Sequence, residues 1–572
     1  MARNPAIAVV LVVFVILFEG GCTSKRSIQT ERLGPLPSII LTHAVSDDGL
    51  HLALMATNTE KKFYVSVDGK VGPEFDAIID SSLIISIDGA RVGYIAERGE
   101  KWLVVVDGVL GPEYDWVGHL IFSPNGKRVA YAAHKGKNCF MVVDGVPEQE
   151  YDGIGEDTPI FSPRQERLAY TAKKGIKWIV VVDGVPGPEF DWIADSSLVF
   201  SPGGNRVAYA ALKDDKCLMV VDGVPGPEFD NMGYSIFSPC GNRVAYAADR
   251  GKKSLMVVDG VPGLEFDWIG DPVFSPYEER VAYVAYRGKK CLMVVDGVLG
   301  PEYDEIVDGT PIFSPRQDRL AYTAKKGIKW IVVVDGVPGP EFDWVGDLLF
   351  SADGNRIVYK VRRGSSQFVV VDGVPQLPES TFDGLDISTP VFSPGGEHIV
   401  YVAKYGILGG HVVVDGVSGS LYDWIKIPVF SSDDKRWGYA AGKDRKRFVV
   451  IDGVPGHEFD AISDPIFSPD GKRFVYVAKK GEKELVVIDG RPGLAFDAIE
   501  VWPVFSSEGK IAYIANKGEK QLMVVDGQPG PEFDGIAGGP LFRADGALEY
   551  LALQQRELYR VIDQPKRRLK DM

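Results

Sequence analysis

Carboxylates at a fixed interval are the first chemistry this sequence offers. An aspartate precedes glycine in the string Val-Asp-Gly or Ile-Asp-Gly at Asp68, Asp107, Asp144, Asp183, Asp222, Asp259, Asp296, Asp335, Asp372, Asp415, Asp452, Asp489 and Asp526, and a decayed copy, Asp563, stands before Gln564. Hard cations take carboxylate oxygens, so the series raises the question of a metal. The glycines answer it. Asp-Gly supplies the left-handed positions of a tight hairpin, and an aspartate there accepts backbone N–H groups of its own turn. The series therefore predicts turns and no metal site, and no stretch carries the EF-hand pattern.

Two further groups could make contacts rather than reactions. Basic residues cluster between apolar segments at Lys173-Lys174, Arg287 with Lys289-Lys290, Lys325-Lys326, Arg362-Arg363 and Lys479-Lys480. Trp116, Trp192, Trp268 and Trp344 recur at intervals of 76 residues, and Trp424 continues the series. Tryptophan is over-represented at binding hot spots and can stack on a sugar face. Packing between structural units is the competing reading, and the stronger one for Trp102, Trp178 and Trp330.

Catalytic constellations are missing. There is no Gly-x-Ser-x-Gly elbow, no His-Glu-x-x-His and no phosphate-cradling glycine loop. The seven histidines are scattered, and His119 with His134 makes at most a lone pair. Apart from Cys22, the cysteines are Cys139, Cys217, Cys240 and Cys291, without zinc-site spacing. The expectation is a non-enzymatic protein with no cofactor.

These residues have to be placed by something repetitive. At 572 residues the chain is several ordinary domains long. Hydrophobic residues at 45% and charged residues at 25% exclude wholesale disorder and a multi-span membrane protein. A net charge of −16 disfavours binding to nucleic acid or coating an anionic membrane through bulk charge. The Asp-Gly markers are 37 to 43 residues apart, fourteen in all, and a second marker, a Ser-Pro-Asp-Gly-type turn before an apolar run, also occurs fourteen times. One unit reads as four strands: Pro465–Ser468, a turn at 469–471, Arg473–Ala478, a polar loop, Leu485–Ile488 ending in Asp489-Gly490, and a proline-rich edge segment such as Val185–Asp191. Proline cannot donate to a ladder, which puts that segment outermost. Four antiparallel strands in about 38 residues match a propeller blade. Three of the cysteines occupy one position in non-adjacent repeats, too far apart to bridge.

Ser468-Pro469-Asp470-Gly471-Lys472-Arg473 with Tyr476, and Ser123-Pro124-Asn125-Gly126-Lys127-Arg128 with Tyr131, resemble the WD-repeat-like propeller motif of TolB-like proteins. The resemblance covers about residues 34 to 563 and implies an all-β fold of tandem β-propellers with fourteen four-stranded blades. It implies no function, and the separate α/β domain of TolB has no counterpart.

Propellers usually hold four to eight blades, so fourteen point to two rings. Seven plus seven is the simplest division, at 34–297 and 298–563, with a tail at 564–572; the near-identity of 156–191 and 308–343 keeps six plus eight as an alternative. Gly34 to Ile39 reads as an unpaired fourth strand that completes the last blade and so removes an open edge. In such a ring the basic loops share a face with Asp191, Asp195, Asp267, Asp271, Asp343 and Asp347, which gives a mixed, salt-screened rim. Trp116, Trp192, Trp268, Trp344, Trp424, Lys173, Lys174, Lys325 and Lys326 form its candidate partner-binding residues.

At the N-terminus, Arg3 precedes an apolar run from Ala6 to Phe18, too short to span a bilayer comfortably but suited to a signal peptide over residues 1–21. Gly20-Gly21-Cys22 resembles a bacterial lipobox, although Glu19 stands where an apolar residue is usual. The resemblance implies lipid attachment at Cys22, followed by a linker over 22–33; a plain cleavable signal is the alternative. Only about nine residues follow Asp563, leaving no room for an appended hydrolase domain. Together these readings predict an exported envelope lipoprotein, periplasmic or at the cell surface, held to the membrane through its N-terminal lipid and presenting a loop face to a protein partner. A glycan-binding lectin, or a propeller enzyme with a central funnel, is the rival.

Overall fold

The computed structural model describes residues 26–565 apart from 157, 278–279, 308, 310, 317, 377–385 and 407–408. The export segment, Cys22 and residues 566–572 lie outside the described residues. Within them the chain is all-β, with one short 3-10 turn at Asp80–Ser82 and fourteen antiparallel sheets. Each sheet is a blade whose strands run in the order first, second, third, fourth; where five strands occur, the first is broken in two. Blades 1 to 13 occupy residues 39–71, 77–110, 116–151, 153–186, 192–229, 231–266, 268–303, 305–338, 344–376, 386–418, 424–455, 461–496 and 498–533.

Blade 12 illustrates why the segments fold this way. Its second strand, Phe474–Lys480, and third, Lys483–Ile488, are apolar on both faces and buried on both, as central strands sandwiched between neighbouring sheets must be. Its fourth, Arg491–Phe496, is exposed except at Phe496, consistent with an edge. The Ser-Pro-Asp-Gly turn is held from inside. Ser468 is buried, its Oγ accepts the Arg473 N–H at 2.9 Å, and its carbonyl accepts the Gly471 N–H at 2.8 Å.

The Asp-Gly hairpins have the predicted left-handed pair, for instance φ 52° at Asp222 and 78° at Gly223. Their carboxylates reach beyond their own turn. Asp183 Oδ1 accepts the N–H of Leu168, at the start of the second strand, at 2.9 Å, and Oδ2 accepts Nε of Arg167 at 2.8 Å. The same pair of bonds recurs at Asp107, Asp144, Asp222, Asp259, Asp296, Asp335, Asp372, Asp452 and Asp489. The arginine then crosses to the next blade: Arg167 Nη1 donates to the Asn205 carbonyl at 2.7 Å, and its guanidinium lies 5.8 Å from the Phe200 ring centre. Arg128, Arg356 and Arg436 repeat the crossing.

The chain forms two compact units. One is built on blades 13, 14, 1 and 2; the other comprises Asp115–Gly481 with Val487–Arg491, hence blades 3 to 11 and most of blade 12. In the larger unit each described junction is a sheet-on-sheet core. Met256 and Phe266 of blade 6 meet Tyr283 and Leu292 of blade 7, and Cys291 and Met293 of blade 7 meet Tyr322 and Ile331 of blade 8. The boundary expected at Gly297 thus coincides with no break in packing. In the smaller unit Met55 and Val65 of blade 1 pack on Tyr94 and Leu103 of blade 2, while Leu52 and Leu54 pack on Leu551 and Leu558 of blade 14.

Blade 14 joins the two ends of the described chain. Gly535–Phe542, Leu548–Gln554 and Glu557–Pro565 take Arg26–Pro35 as their fourth strand, paired from Arg26 opposite Pro565 to Pro35 opposite Glu557 with one register shift between Arg32 and Gly34. Closure by an N-terminal edge strand is as expected, but the strand begins earlier than Gly34, so most of the stretch expected to be a linker is sheet. Its apolar content is thin, with Ile28 and Leu33 turned to the cores, and hydrophobic pattern alone does not reveal it. Gly34 and Gly69 meet there: a Cβ on Gly69 would stand 2.7 Å from the Gly34 Cα.

Deleting residues 26–35 should expose the Glu557–Pro565 edge, lower the melting temperature and cause aggregation; an unchanged melt and a monomeric elution profile would rule out closure by this strand. Residues 22–297 and 298–572 expressed apart should each melt below the intact chain and reassociate on mixing, because blades 7 and 8 would each lose a packed face. Two independent monomers as stable as the whole would establish closed rings of seven.

Candidate interaction face

The face carrying the second-to-third-strand hairpins is pinned by the aspartate that ends each fourth strand. Asp267, after blade 6, accepts the Gly288 N–H of blade 7 at 2.6 Å on Oδ2 and Lys253 of its own blade at 2.6 Å on Oδ1. Asp460 does the same with Gly481 and Lys446, at 2.8 and 3.1 Å, and Asp191 pairs with Lys177 and the Asp214 N–H. These contacts hold the carboxyls below their usual range: in Asp191 the Lys177 hydrogen bond is the larger cause, in Asp267 the Gly288 N–H. Lys177 is raised in turn by Asp191.

Much of the positive charge of this face is therefore engaged. Of the lysines singled out in the sequence, Lys174 pairs with Glu189 at 3.4 Å and Lys325 with Glu305 at 3.3 Å. Lys173 lies 5.9 Å from the Trp178 ring centre and Lys325 4.9 Å from that of Trp330, while Lys326 is exposed. Such exposed pairs contribute at most about 1 kcal/mol each, enough to orient side chains but not to form a cationic docking patch.

Trp116, Trp192, Trp268, Trp344 and Trp424 all stand at the start of a first strand, opposite the last residues of the second: Trp116 faces His134, Trp192 Leu212, Trp268 Tyr286, Trp344 Arg362 and Trp424 Gly442. At this position other blades carry Gly153, Asn231, Glu305 and Ala461. The indoles are not absorbed into blade packing: Trp116 is 44% exposed, Trp192 43%, Trp268 52% and Trp344 36%. Each leans on a neighbour that fixes its ring. Trp192 meets Trp178 edge-on at 5.2 Å, Trp268 meets Tyr286 at 5.1 Å and Trp116 meets His134 at 4.9 Å, whereas Lys360 and Arg447 lie over Trp344 and Trp424 at 5.5 and 4.7 Å. Trp102, Trp178 and Trp330, half-buried at the start of the third strand, pair across to Tyr114, Phe190 and Phe342 on the edge segment.

His119 occupies the bulge between Gly118 and Ile121, so register sets His134 against Trp116 and not against it. Among the described residues no group of three His, Cys, Asp or Glu could hold a metal ion, and Cys139, Cys217, Cys240 and Cys291 are free thiols. The arginine clamp went unread in the sequence although its signal is there, a basic residue 16 positions before most Asp-Gly markers.

No protein-family model matches the chain, and no curated protein does. Similar solved structures include a eukaryotic initiation factor, 13% identical over 70% of this chain and 98% of that one with a TM-score of 0.27. TolB from Acinetobacter baumannii is 15% identical over 50% of this chain and 75% of its own, TM-score 0.20. The Dos1 propeller is 11% identical over 60% and 93%, TM-score 0.23. The propeller assignment rests on the blade topology itself.

A depressed carboxyl pKa contributes stability that is present above the ordinary aspartate value of about 4 and is lost as pH falls through the lower folded value. Replacing Asp191, Asp267 and Asp460 with Asn should lower the melting temperature at pH 7 and flatten its fall towards pH 3. An acid dependence identical to that of the parent would remove these pins from the account.

Proposed function

We propose that this chain is a non-enzymatic interaction scaffold of the cell envelope, exported, lipid-anchored at Cys22 and binding a protein partner through the tryptophan-bearing face of blades 3 to 11. The observation that carries the reading is the half-exposure of Trp116, Trp192, Trp268 and Trp344 at one repeat position, each ring braced by a neighbouring side chain. A large, rigid aromatic that leaves water on binding is the usual anchor of a protein interface. Engaged charges around it favour this over an electrostatically driven contact, since Lys174, Lys177 and Lys325 already have partners. A rigid scaffold whose surface positions vary freely suits such a role.

Glycan binding is the second reading, favoured by the same indoles, because a braced ring with one open face is what a sugar stacks on. The two separate in one experiment. Pull-down from membrane extract should retain a protein with the intact chain and lose it with Trp192→Ala plus Trp268→Ala, each costing about 2 kcal/mol, roughly thirtyfold. Saturable binding on a glycan array with no protein retained would reverse the ranking. Labelled palmitate incorporation that disappears in Cys22→Ser checks the anchor.

A further inference from the structure

The repeats provide an internal comparison at their outer junctions. Between blades 3 and 4, the half-buried Glu148 reaches across and accepts the hydroxyl of the buried Tyr170 at 2.8 Å. One repeat later, Gly187 stands where Glu148 does, in Val185-Pro186-Gly187 against Val146-Pro147-Glu148. There the equivalent tyrosine, Tyr209, is 1% exposed and no protein group pairs with its hydroxyl. A Cβ on Gly187 would lie 3.6 Å from that oxygen, so the hydroxyl points into the space a longer side chain would fill. That space is a groove of about 680 Å³ between blades 4 and 5, walled by Val182, Pro186, Pro188 and Val207, with Arg167 and Asn205 at its rim. The same positions line a smaller groove of about 320 Å³ at Tyr476, between blades 11 and 12.

We propose that the groove between blades 4 and 5 binds an acidic side chain from an extended segment of a partner protein, its carboxylate taking the place that Glu148 takes one junction earlier. A buried hydroxyl without a partner is unfavourable, and a carboxylate is the acceptor this fold already uses to relieve it. Asp183 and Asp222 also line the groove, but Arg167 and Arg206 neutralise them at 2.8 Å each, so an incoming anion meets no uncompensated charge. The valines and prolines give apolar contact to the rest of the segment. Addition of the segment as a fifth strand is disfavoured: Pro186 and Pro188 have no N–H, and that of Gly187 is already donated to the Val180 carbonyl. This site lies on the blade flank and is independent of the tryptophan face.

The test uses the full chain and a capped hexapeptide, Val-Pro-Glu-Gln-Glu-Tyr, carrying a photo-crosslinker, with a control in which both glutamates are glutamine. The glutamate peptide should crosslink to peptides spanning 180–188 or 205–209 at least tenfold more than the control. Gly187→Glu should abolish that crosslink while keeping or raising the melting temperature, because it rebuilds the Glu148–Tyr170 contact; Tyr209→Phe should weaken it severalfold with the fold intact. Equal crosslinking of the two peptides, crosslinks elsewhere only, or a well-folded Gly187→Glu that still crosslinks at the groove would overturn the proposal.

Discussion

A carboxylate that binds two strands and an arginine at once is the contact on which the rest of this molecule depends. A blade cannot bury both of its faces alone, because its second and third strands are apolar on each side and need a sheet on either hand. The Asp-Gly aspartate fixes the third-to-fourth hairpin to the start of the second strand, and the arginine it holds carries that register into the next blade's carbonyl and phenylalanine. Apolar packing supplies most of the driving force but is non-directional. The clamp supplies direction, so that sheets with nearly identical faces stack in one register.

The opposite end of the strands is pinned, at many of the described junctions, by a different aspartate with the same logic, through a backbone N–H of the next blade and a lysine of its own. Where both pins are present, one at each end of the strands, a blade has little freedom to tilt. That rigidity is what allows the face between the pins to vary: tryptophan in some blades, glycine, asparagine or glutamate in others, over an unchanged backbone.

Much of this was legible in the sequence because it repeats. The period, the hairpin at each Asp-Gly pair, the serine turn and the edge position of the proline-rich segment all follow from residue types at fixed offsets. What was not legible depends on partners far along the chain or in another copy of the unit. An aspartate before glycine implies a cap on its own turn, yet the acceptor bonds of these carboxylates go to residues 15 and 16 positions earlier. The strand Arg26–Pro35 was hidden because only Ile28 and Leu33 mark it as half-buried, and its partner lies more than five hundred residues away. The exposure of the tryptophans was also hidden, since an indole at a strand start can turn inwards or outwards without any change in spacing.

Repetition also separates what the fold requires from what it merely tolerates. Where the clamp loses its arginine, the lost function is replaced: His398 Nδ1 binds Asp415 at 2.6 Å and its ring stacks on Phe430, as the arginines lie on phenylalanines elsewhere. That is how a position under structural constraint behaves when its residue changes. Gly187 behaves differently. Glycine is the common residue at that offset and Glu148 the exception, so the buried Tyr209 hydroxyl has no compensating group, and the tryptophans expose apolar surface where neighbouring blades carry small or polar residues. Buried polar groups and exposed apolar ones left without compensation within the chain are those whose balance has to be completed from outside it, which is why both point towards a bound partner rather than to the core.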